Sequence, residues 1–135
     1  MKNKLRIISI CLVMLLLLTA IIPPALADGI QPRYESINQI EASLTIGFLG
    51  KANCKSLLTA RGSTPVRLIC RLQRLENGSW HTIKTWEATG TSIVELTKSQ
   101  YVASGYTYRV YTVGYVYDAN NVLVEQESVE HVVVY

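Results

Sequence analysis

Eight side chains have the types needed to meet a ligand: Trp80, Trp86, Tyr111, Tyr115, Tyr117, Arg67, Arg71 and Arg109. Flat rings stack on sugar faces or anchor protein partners, and arginine adds hydrogen bonds and cation–π attraction. No comparable set points to a reaction. A hydrolase triad needs a nucleophile, a base and an orienting acid. The two histidines, His81 and His131, stand in no recognisable motif with any serine. Glu125, Glu127 and Glu130 crowd one stretch, too close along one strand to straddle a sugar ring. They read instead as edge charges that discourage strand-to-strand aggregation. The histidines also lack zinc-ligand spacing, and no Gly-rich phosphate loop or Asp-rich calcium loop occurs. The chain is therefore expected to be non-enzymatic, without catalytic residues, metal or cofactor.

The elements that carry these side chains have a period of two. Ile40, Ala42, Leu44, Ile46 and Phe48 alternate with polar residues, as in a half-buried strand. Gly50 turns the chain, and Ala52, Cys54, Ser56, Leu58 and Ala60 form the next apolar-facing set. A loop at Arg61–Pro65 precedes Val66, Leu68, Cys70 and Leu72. Asn77-Gly78 is a type I′ hairpin signal, because both residues tolerate positive φ. A two-residue loop places Leu75 opposite Trp80 and Ile69 opposite Trp86, with both tryptophans outward. A bulge would shift the phase and turn them inward. Val94 and Leu96 mark a short strand. Tyr106, Tyr108, Val110, Thr112, Gly114 and Val116 are one face of the next, and Arg109, Tyr111, Val113, Tyr115 and Tyr117 the other. A loop at Asp118–Asn121 leads into the last strand, Val122 to Tyr135. A four-residue loop sets Arg109 opposite Glu130 and turns Glu125 and Glu127 toward the core, for which the sequence offers no reason. Seven such strands without a helical period imply an all-β, immunoglobulin/fibronectin type III-like antiparallel sandwich.

The first 27 residues read as a signal peptide. Lys2, Lys4 and Arg6 precede an apolar run from Ile7 to Ile22, and Ala25-Leu26-Ala27 is a small-x-small cleavage site ahead of Asp28. An uncleaved N-terminal anchor is the rival reading. The expected organisation is a signal peptide at 1–27, an N-terminal arm at 28–36 and a sandwich domain at 37–135. Lys2, Lys4 and Arg6 are three of the thirteen basic residues, so the remainder balances ten basic against ten acidic groups. That balance argues against nucleic acid as a partner. No second apolar run could span a membrane, so no membrane insertion is expected after cleavage, and the protein is expected to be secreted and extracellular. In an oxidising compartment Cys54 and Cys70, both on the inward phase of neighbouring strands, read as a disulfide; two buried free thiols are the alternative.

The run Gly105-Tyr106-x-Tyr108-Arg109-Val110 resembles the sixth strand of fibronectin type III domains. Residues 37–117 resemble a group of small secreted Gram-positive bacterial domains of unknown function. The shared features are Gly50-Lys51-Ala52-x-Cys54, Leu72-Gln73-Arg74 leading to Gly78-Ser79-Trp80-x-Thr82-x-Lys84-x-Trp86, and Ser104-Gly105-Tyr106-x-Tyr108-Arg109-Val110. The resemblance implies the fold and lends no catalytic residue. The expected function is a binding module that recognises a glycan or an extracellular protein through its aromatic and arginine face. The alternative is a secreted inhibitor or effector acting on a foreign protein through loops such as 61–65 or 118–121. Aromatic cross-strand pairs also stabilise sheets by themselves, so the face has a purely structural reading too.

Overall fold

Alternation of apolar and polar residues becomes seven antiparallel strands in the computed structural model, which describes residues 35–135. The strands are β1 (Ile37–Ile46), β2 (Lys51–Ala60), β3 (Pro65–Glu76), β4 (Ser79–Thr91), β5 (Ile93–Tyr101), β6 (Thr107–Tyr117) and β7 (Leu123–Val134). The expected signal peptide and all of the arm but Glu35 and Ser36 lie outside the described residues.

Hydrogen bonding runs through the order β1-β2-β5-β4-β3-β6-β7. The β4–β5 link is a single pair, Thr91 with Ile93. The ladder therefore folds there into two sheets, β1-β2-β5 and β4-β3-β6-β7. Gly90 makes that corner feasible, because a Cβ on it would meet the Ile93 carbonyl oxygen at 2.4 Å. Ser92, in the left-handed region with φ 64°, completes the step. Its N–H donates to the Thr64 carbonyl and its carbonyl accepts from Ala60 N–H.

The core lies between the sheets. Leu44, Ala52, Cys54, Leu58, Val94 and Leu96 meet Val66, Leu68, Cys70, Leu72, Tyr108, Val110 and Val116, all buried. Most of the expected inward sets are therefore inside. Phe48 is not: it sits at 88 % exposure on the β1–β2 tip, beyond the last pair of that hairpin. Tyr106 is also exposed, while Tyr108 is fully buried and donates from its hydroxyl to the Ala103 carbonyl at 2.6 Å. That bond satisfies the one polar atom of a large buried ring. A second polar link crosses the core, where the buried hydroxyls of Ser56 and Thr112 lie 2.6 Å apart.

Cys54 and Cys70 are free buried thiols, so the expected disulfide is not formed in this structure. They belong to facing sheets, through β2 and β3, and Cys70 also bonds to the Ser56 hydroxyl. Burial pushes the Cys54 thiol up to about 12, with the Cys70 sulfur adding to the rise. Burial raises Cys70 as well, against the Ser56 bond that lowers it.

The register of β7 is slipped by two from the expected one. Tyr111 faces Glu130 and Val110 faces His131, with an irregularity at Val116/Tyr117. A slip of two keeps the face of every residue, so Glu125 and Glu127 do take the inner phase. The structure supplies the reason for Glu125. Its carboxylate accepts from the backbone N–H groups of Ser36 and Ile37 at 2.6 and 2.9 Å. His131 Nδ1 likewise accepts from Leu44 N–H at 3.1 Å. The edge of β1 is thus closed by side chains of β7 instead of by a ladder.

Candidate functional site

The site is built on the outer face of β4-β3-β6-β7. Asn77 and Gly78, with φ of 49° and 78°, form the two-residue turn expected of a type I′ hairpin. Pairing then follows the expected register from Glu76/Ser79 to Gln73/Thr82, and Leu75 faces Trp80. At Ile83 the ladder skips a residue, and Leu72 pairs with Lys84. Every later residue of β4 changes face relative to expectation. Trp86 consequently stands opposite buried Cys70 and packs on the core, so its expected place on the outer face is corrected. Trp80, before the bulge, stays outside.

Across β3 and β6 the outer rows are Gln73 with Arg109, Arg71 with Tyr111, Ile69 with Val113, and Arg67 with Tyr115. These pairs bring six of the eight expected residues onto one face: Trp80, Arg109, Arg71, Tyr111, Arg67 and Tyr115. Arg109 is the centre of one cluster. Its guanidinium lies 4.3 Å from the Trp80 ring centroid and 5.0 Å from that of Tyr111. It donates to Gln73 Oε1 at 2.7 Å and to Glu130 at 2.5 Å. Gln73 in turn donates to Thr82 Oγ1. Arg67 centres the other cluster, 5.6 Å from the Tyr115 ring and paired with both carboxylate oxygens of Glu87 at 2.7 and 2.8 Å. Hydrogen bonds that Arg67 donates to Glu87 and then to Tyr117 raise its pKa, and the bond to Glu87 lowers that of the carboxylate.

Arg71 lies between the two clusters. Among the described residues it has no carboxylate, ring or hydrogen-bond partner, and Tyr111 and Thr85 flank it across the strands. Arg67 and Arg109 are each matched by a glutamate, so Arg71 leaves one uncompensated positive charge mid-face. Tyr117 lies beside Arg67, at the end of β6. With Pro65, Val66, Arg67, Thr89, Gly90 and Asn121 it lines an open cavity of about 340 Å³.

The sequence reading missed three members of the face: Glu87, Gln73 and Thr82. Glu87 is adjacent to Trp86 in sequence, and only the bulge puts it outward beside Arg67. A separate pair, Arg74 with Glu76, lies under the Tyr106 ring, the guanidinium 4.4 Å from its centroid. No group of three or more His, Cys, Asp or Glu suited to a metal occurs among the described residues. No protein-family model matches the chain, and no curated protein matches it.

Proposed function

We propose that this chain is a secreted, non-enzymatic sandwich of the fibronectin type III kind that binds a glycan on its β4-β3-β6-β7 outer face. The observation that carries the reading is Arg71, an unmatched cation on a sheet face whose neighbours are a tyrosine and two arginine–aromatic clusters. Sugar rings stack on Trp and Tyr, and their hydroxyl or acidic groups bond to guanidinium. The three-plus-four strand arrangement and the Tyr108–Ala103 bond, placed like the tyrosine corner of such sandwiches, support the fold assignment. The signal-like N-terminal segment supports export, after which an oxidising compartment would join Cys54 to Cys70.

The test is a glycan array probed with protein expressed from the full sequence. Retention of a glycan class, lost in Trp80→Ala and in Arg71→Ala but kept in Arg74→Ala, is the expected result. Absence of any retained glycan, or unchanged binding by both variants, overturns the proposal. A second reading, an effector aimed at a foreign protein, draws on the cavity between Pro65 and Asn121. It places the contact at that end of the sandwich and predicts that Tyr117→Ala, not Trp80→Ala, abolishes partner binding.

A further inference from the structure

Among the described residues the sandwich has four edge strands, and three carry visible devices against pairing. Glu125 and His131 occupy N–H groups of β1. A bulge at Ile83 and the inner-phase Lys84 interrupt β4. Lys98, on the inner phase opposite Cys54, does the same for β5. Bulges and inward charges of this kind are how sheets avoid edge-to-edge association.

The fourth edge, β7, is different. It ends the hydrogen-bonded order, so among the described residues one side of its backbone has no ladder partner. It also exposes Leu123, Val124, Val132 and Val134, with Val134 at 80 %. Neither Leu123 and Val124 at one end nor Val132 and Val134 at the other has a role in the core. A long apolar edge is a template for another strand.

We propose that β7 pairs antiparallel with β7 of a second copy of this chain, about a two-fold axis at Ser128. The strand is polar around that residue and apolar at both ends, Leu123-Val124 on one side and Val132-Val133 on the other. The register sets Val124 opposite Val132 and Leu123 opposite Val133 at both ends. Gln126 falls opposite Glu130, and Glu125 opposite His131. Cross-strand apolar and opposite-polarity pairs are what stabilise such a ladder, and a two-fold interface needs this self-complementarity. The acidic residues do not forbid the pairing. Glu130 is already matched by Arg109, and Glu125 by the N–H groups of β1. Because His131 Nδ1 accepts from Leu44, its neutral ring carries the proton on Nε2 and remains a donor for the partner's Glu125. A slip of two residues one way sets Val124 opposite Glu130; the other way sets it opposite Val134 but leaves Val132 facing Gln126. Glu127 is the one discordant group, lying diagonal to its own symmetry mate near the axis.

Site-directed crosslinking of the full chain tests both the partner and the register. Ser128→Cys, mildly oxidised, should give a covalent dimer on a non-reducing gel. Gln126→Cys should not, since its symmetry mate lies about four residues, or ~13 Å, along the ladder. Sedimentation of the unmodified protein should show a mass that doubles with concentration. Val124→Lys should hold it monomeric with an unchanged melting temperature, since Val124 is exposed, and Glu127→Gln should lower the concentration at which the dimer forms. A monomer at every concentration overturns the proposal, as does crosslinking of Gln126→Cys equal to that of Ser128→Cys.

Discussion

Trp80 and Trp86 lie six residues apart on one strand and are both half-buried, yet they belong to different parts of the molecule. Trp80 covers a guanidinium on the outer face, and Trp86 closes the core opposite Cys70. Accessibility does not separate them; the skipped residue at Ile83 does. One face of the same four-stranded sheet is held by ion pairs and cation–π contacts, the other by burial. The two faces should therefore respond differently to the same substitution and oppositely to pH.

The largest effect is expected inside. Trp86→Ala should destabilise the protein by about 3 kcal/mol, the low end for a buried aromatic because the ring is part-exposed. Urea unfolding of both tryptophan variants gives the comparison directly. If Trp86→Ala costs no more than Trp80→Ala, the inward assignment is wrong.

An intermediate effect is expected from alkali. The unfolded chain releases the Cys54 proton near pH 9, and the folded chain keeps it to about 12. The unfolded state then binds fewer protons, so stability falls as pH rises through that window. Denaturation midpoints measured across the window should fall for the reduced protein and fall less in Cys54→Ala, where buried Cys70 still contributes. A Cys54–Cys70 disulfide would have no thiol to titrate, and the wild-type slope would vanish on oxidation. The outer face has the opposite sign. Glu87, lowered by its bonds from exposed Arg67, contributes stability above the ordinary carboxylate pKa and loses it on acidification.

The smallest effect is Trp80→Ala, about 1 kcal/mol for a half-buried cation–π contact and a cross-strand pair. Its melting temperature should stay near wild type while glycan retention is lost. A drop as large as that of Trp86→Ala would mean that the ring serves the fold.

Much of this architecture is legible in the residues. Strand order along the chain, the Asn77-Gly78 turn and the inward sets of β2, β3 and β6 follow from alternation and turn chemistry. Two kinds of information were not. A bulge adds one residue without any compositional mark, and Thr82-Ile83-Lys84 reads as ordinary strand. Register across a longer loop depends on tertiary partners: Glu125 faces inward because the N–H groups of Ser36 and Ile37, almost ninety positions away, need an acceptor. The outer face was legible in its aromatic and arginine residues and in the nearness of Glu130 to Arg109, but not in Glu87, whose pairing with Arg67 depends on that same bulge.

The closure of β1 by Glu125 and His131 has a consequence for the order of assembly. The donors on β1 and their acceptors on β7 are 87 to 89 positions apart. During synthesis at roughly 5–20 residues per second, β1 waits on the order of 5–20 s before its caps exist. The β1–β2 hairpin can form in that interval, but its far edge stays open until the last strand has emerged. The domain is thus completed from its end back to its beginning, and a chain cut short before Glu125 would keep a sticky first strand.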